Sequence, residues 1–125
     1  MRRTLVLGLV LVLSAVALAA EKKDVKLTGY VIDNACSARA TGEGALEKVK
    51  AHSVKCAQMP ACAKSGYAIF ADGKLYKFDE DGNKKVAELL KNTKNEKGLG
   101  VSLEGTAEGD TIHVAKISET AEAMK

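Results

Sequence analysis

At 125 residues with a formal net charge of +3, the chain has room for one domain with its own core and not for two. Its charges come in short mixed groups, which reads as a solvated surface and gives no electrostatic case for nucleic acid or an anionic membrane. Neither an internal repeat nor a long low-complexity tract interrupts it.

The chain opens MRRTLVLGLVLVLSAVALAA, with Arg2 and Arg3 ahead of an apolar run from Leu5 to Val16 and a small-residue exit at Ala17, Ala19 and Ala20. That is the layout of a secretory signal over residues 1–19, cut after Ala19 or Ala20. A membrane span is the weaker reading, because the A-x-A pattern at Ala17 and Ala19 is followed at once by the charged EKKD. No cysteine stands at the cut to carry a lipid. The expected product, 20–125, is therefore a single domain free in the periplasm or secreted, with no membrane span. Loss of Arg2 and Arg3 takes its charge from +3 to +1.

Val25 to Asp33, VKLTGYVID, alternates. Leu27, Gly29 and Val31 fall on one face, Thr28, Tyr30 and Ile32 on the other, as in a first strand. Tyr67 to Ala71 and Lys74 to Phe78 are two β-prone runs joined by Asp72-Gly73, the two-residue turn of a tight hairpin. After the polar DEDGN comes KKVAELLKNTK, where Val86, Leu89 and Leu90 make an apolar stripe at helical spacing and Asn83 can cap the start. DEDGN resembles the opening of a calcium loop, but Gly82 comes two positions early and the later ligands do not follow, so it reads as a turn. Alternation returns from Leu99 to Ala107. Glu108-Gly109-Asp110 turns the chain, Thr111 to Ile117 follows, and the tail SETAEAMK reads as a short helix or a frayed end. This order predicts a mainly β, α+β fold: an OB-like five-stranded antiparallel barrel with a helix before its fourth strand and an insertion, 33–64, between its first two.

The insertion holds all three cysteines, one of the two histidines and the only proline. Glu43 to Gln58 reads as one helix stopped by Pro60. Ala45, Val49, His52, Cys56 and Met59 follow spacings of four, three, four and three, so they line one stripe facing the barrel, with His52 and Cys56 as neighbours. If the first two strands pair antiparallel, Cys36 and Cys62 leave the sheet at the same rim, and all three thiols can meet His52 there.

Three thiols in an exported chain cannot all pair internally, so one disulfide and one leftover thiol is the plain expectation. Loop-closure entropy separates the pairings by only about 1 kcal/mol. Proximity selects Cys36 with Cys62. If all three stay reduced, Cys36, His52, Cys56 and Cys62 form a Cys3His set of the kind zinc accepts. If one bridge forms, His52, Cys56 and Met59 suit cuprous copper. The spacings lack the short C-x2-C pairs of a strong zinc signature. Taken singly, His52 is a partly buried histidine bonded to a carbonyl, Met59 is core filler, and His113 is an outward surface residue. No C-x-x-C, C-x-x-C-H, G-x-S-x-G, H-E-x-x-H or phosphate loop is present. Tyr67, Phe70, Tyr76 and Phe78 lie where OB proteins stack bases, but core packing accounts for them better.

The succession TGYVIDNAC, HSVKCAQMPAC, SGYAIFADGKLYKFD and VSLEGTAEGDTIHVAKI resembles an uncharacterised family of small exported bacterial proteins. Those proteins share a Gly-x-x-x-Asp-x-x-Cys opening (Gly29, Asp33 and Cys36), a histidine, a cysteine pair before a Gly-aromatic strand, and an ending of the type G-T-x-x-G-D-T-I-x-V. The resemblance implies an exported module of the bacterial envelope but brings no activity with it. Asp33 is expected to cap a loop or add an oxygen ligand. The expected function is a disulfide-stapled binding or structural module, not an enzyme, contacting an envelope protein, a glycan or a small ligand. The alternative is a Cys/His metal carrier or sensor for zinc or copper.

Overall fold

The computed structural model describes residues 21–121; the expected signal at 1–19 and the last residues of the tail lie outside that range. The elements run β1 (Lys22–Asp33), α1 (Asn34–Ser37), α2 (Ala45–Lys50), α3 (Val54–Ala57), α4 (Pro60–Lys64), β2 (Tyr67–Ala71), β3 (Lys74–Phe78), α5 (Glu80–Asn92), β4 (Gly100–Glu108) and β5 (Thr111–Glu119). The five strands close a barrel in the order β1-β2-β3-β5-β4.

The barrel is mixed, not wholly antiparallel. β3 and β5 run parallel, with Lys77 opposite Thr111 and Phe78 opposite Ile112, while the other four pairings are antiparallel. The reason is parity: strands that alternate up and down around a ring of five must meet one neighbour pointing the same way.

Alternation of β1 brings Leu27 and Val31 into the interior with Ile69, Val101, Leu103 and Ile112. Gly29 has a steric reason to be there, since a Cβ at this position would sit 2.1 Å from the carbonyl oxygen of Phe70. At the outer end of the same strand Ile32 is also buried, packed with Ala68 and Phe70 of β2 against Ala40, Ala45 and Val49 of the insertion. The insertion thus covers the outside of the β1–β2 ladder, and all five residues of β2 are buried.

α5 begins four residues before the sequence suggested. Asp79, not Asn83, is its N-cap, accepting from the Gly82 amide at 2.8 Å. The acidic Glu80 and Asp81 in its first turn suit the positive end of the helix dipole, so DEDGN is the start of a helix and not a free turn. Val86 and Leu90 seal the barrel as the stripe predicted. Asn83 instead accepts from the Tyr67 amide at 2.9 Å. The tail continues β5 to Glu119.

Candidate metal centre

The two ends of the insertion are tied together. β1 pairs with β2 so that Asp33 faces Tyr67. One residue further out the Asn34 amide donates to the Gly66 carbonyl at 2.9 Å. The Asn34 side chain reaches the Ser65 carbonyl at 2.9 Å, and the Ala35 amide reaches Ser65 Oγ at 3.1 Å. α1 and α4 therefore lie against each other at one rim and carry Cys36 and Cys62 with them.

Between these ends the single helix expected over 43–58 is broken. α2 ends at Lys50, and Ser53 takes an extended backbone and caps α3, its Oγ accepting from the Cys56 amide at 3.3 Å. The break coincides with a small cross-link to the segment before β4: Ser53 bridges Lys97, the Val54 amide donates to the Glu96 carbonyl at 2.9 Å, and the Gly98 amide donates to the His52 carbonyl at 3.0 Å. Serine competes for its neighbours' backbone groups and favours a helix start over a helix interior. Pro60 likewise opens α4 instead of ending a helix, a position that its fixed φ and missing N–H suit. The expected stripe survives in part: Ala45 and Val49 are buried, His52 and Cys56 turn to the site, and Met59 is 53% exposed and takes no part in it.

Two overlapping groups of donor atoms result. The ligand atoms of Cys36, Cys56 and Cys62 all lie within 4.8 Å of one another, and so do those of Asp33, Cys36 and His52. Cys36 belongs to both. The expected four-residue set of Cys36, His52, Cys56 and Cys62 is thus not gathered as one mutual group, because His52 stands on the Asp33 side. Nor is the expected Cys36–Cys62 disulfide formed; all three cysteines are free thiols. A disulfide needs sulfurs about 2.05 Å apart. A zinc ion with Zn–S bonds of about 2.3 Å places its sulfurs roughly 3.8 Å apart, a modest contraction of a triad already within 4.8 Å.

Asp33 organises the site. It is fully buried, where the sequence suggested only a loop cap or an additional oxygen ligand. Its Oδ2 accepts from the Cys36 amide at 3.0 Å, capping α1, and its Oδ1 meets His52 Nε2 at 2.6 Å. A buried carboxylate is costly unless it is paired and hydrogen-bonded, and among the described residues no lysine or arginine pairs with it. The Gly-x-x-x-Asp-x-x-Cys spacing carried the capping signal; the histidine contact spans nineteen residues and had no local signature.

Two of the thiols, Cys36 and Cys62, respond to this environment. Burial first, then the hydrogen bond and negative charge of Asp33, push the Cys36 thiol from 9.0 up to about 12. Burial and the Asp33 carboxylate push Cys62 up as well, and Tyr67 is raised by burial and then by Asp33. Three thiols packed with a carboxylate make a pocket that disfavours further negative charge and favours a cation.

The site opens to solvent through a cleft of about 240 Å³ whose lining includes Cys36, Cys56, His52, Arg39 and Lys48. A groove of about 500 Å³ between α2 and the β2–β3 hairpin is lined by glycines, apolar residues and Thr41 and presents no titratable side chain. His113 faces outward as expected, its ring 3.4 Å from Asp79 and 3.2 Å from Glu108. No helix among the described residues is long and apolar enough to cross a membrane. The chain matches no family model, no curated protein and no solved structure.

Proposed function

We propose that this chain is an exported metal-binding module built on an OB-like barrel, a carrier or sensor that holds zinc through Cys36, Cys56 and Cys62. The observation that carries the reading is the buried Asp33 carboxylate beside three thiols whose sulfurs lie within 4.8 Å of one another. Metal binding replaces thiol protons with a cation, which relieves the clustering of negative charge as the thiolates form. Asp33 acts beyond the sulfurs: it fixes Cys36 through the backbone amide and holds the His52 ring, the kind of outer support that conditions a metal's ligands. His52 is thereby a positioning residue instead of a fourth ligand, and the fourth position stays open. Open positions belong to sites that exchange or react, closed four-ligand sites to purely structural ones. Thiolates also suit cuprous copper, but a divalent ion offsets twice the negative charge beside Asp33.

The test is a titration of the reduced protein with Co(II), a spectroscopic stand-in for zinc. A sulfur-to-cobalt charge-transfer band saturating at one equivalent and displaced by zinc is expected, with Cys36→Ser, Cys56→Ser and Cys62→Ser each losing most of it. Absence of the band, or its persistence in all three variants, would refute the reading. The stapled binding module is the second reading, favoured by the mutual closeness of Cys36 and Cys62 at an oxidising address. Intact mass before and after reduction separates the two, because the staple leaves one alkylatable thiol.

A further inference from the structure

The cleft over the thiols has a distinctive distribution of charge. Its lining includes Cys36, Cys56 and His52, and its charged side chains are Arg39 and Lys48. Both are exposed, and among the described residues neither makes an ion pair with an acidic group. They reach the cleft from different elements. Arg39 follows α1, its amide bonded to the Cys36 carbonyl at 3.0 Å, and Lys48 sits on α2. The one carboxylate of the site, Asp33, is fully buried and does not line the cleft. The lining of the cleft therefore combines two cationic side chains with the sulfurs of Cys36 and Cys56.

We propose that the cleft takes a small thiol that also bears a carboxylate, its sulfur completing the coordination of the zinc and its carboxylate held by Arg39 and Lys48. The inference rests on the zinc reading above. Size sets the first limit: the cleft, open to solvent, offers about 240 Å³, below the roughly 300 Å³ at which pockets for drug-sized ligands begin. Chemistry sets the second. A soft donor matches a metal already held by sulfur, and a guanidinium and an ammonium lining the same cleft favour a carboxylate tail. On binding, the incoming thiol loses its proton to bulk water and the resulting thiolate donates a lone pair to the zinc; nothing is oxidised or reduced.

The experiment uses the zinc-loaded full-length domain, 20–125, and two probes of nearly equal shape, 3-mercaptopropionate and 3-mercaptopropan-1-ol, titrated calorimetrically. The acid is expected to bind roughly tenfold more tightly than the alcohol, the order of effect two partly exposed ion pairs can give. In the Arg39→Gln/Lys48→Gln double variant that preference should fall to near one, with alcohol affinity and zinc stoichiometry unchanged. Equal binding of the two probes by the unsubstituted protein, or a preference that survives the double variant, overturns the inference while leaving the zinc site standing. Failure to load zinc overturns both.

Discussion

At the scale of single residues, Asp33 carries the most consequence. It is the fully buried carboxylate that joins Cys36, through its amide, to His52. Asp33→Asn keeps the shape but removes the charge, and a 10–100-fold loss of zinc affinity is expected by competition with a chromophoric chelator, the usual cost of altering an outer-shell partner. An unchanged affinity would remove Asp33 from the account. The thiols give a second outcome. With Cys36 at about 12 in the folded chain against 9.0 otherwise, the folded state holds more protons than the unfolded state between those values. The contribution of this thiol to the stability of the metal-free protein should therefore be complete below pH 9 and be lost as the pH rises from 9 toward 12, readable as a urea midpoint that declines over that window. Cys36→Ser should make that fall shallower, leaving the part that the raised Cys62 and Tyr67 contribute. The sequence disclosed which residues carry chemistry but not their partners: Asp33 was readable as a cap, while its contact with His52 depends on how the insertion folds back.

At the scale of elements, the insertion shows what periodicity can mislead. A spacing of four, three, four and three over Ala45, Val49, His52, Cys56 and Met59 fits one helix, and two short helices with a break at Ser53 satisfy it up to Cys56. The winning interaction is local, the Ser53 side chain on the Cys56 amide, reinforced by the bridge to Lys97. Ser53→Ala should cost about 1 kcal/mol of stability, as loss of an N-cap does, and should weaken zinc binding because it loosens the segment that presents Cys56. A stability loss with zinc affinity intact would show that α3 needs no cap to hold its sulfur. The hairpin at Asp72-Gly73 and the stripe of α5 were legible because both signals are short-range. The start of α5 at Asp79 was missed because Asn83, an equally good cap by type, is engaged with Tyr67 instead.

At the scale of the whole molecule, barrel closure creates the site. β1 and β2 must lie side by side for α1 and α4 to touch, and the approach is close enough that Gly29 admits no side chain. Gly29→Ala should destabilise the fold by at least about 3 kcal/mol, in the range of disruptive core changes, measured by chemical denaturation; near-wild-type stability would mean that the strands can separate without loss. Strand order from hydrophobic alternation supplied the barrel and the common rim of Cys36 and Cys62, while the parallel β3–β5 pair followed from closure, which alternation along single strands does not report. The central claim is that the three sulfurs share one ion. The measurement that tests it most directly is alkylation of the reduced protein, counted by intact mass, with and without one equivalent of zinc. The account expects three modified thiols without zinc and protection of all three with it. Three thiols that alkylate equally fast in both conditions would contradict it.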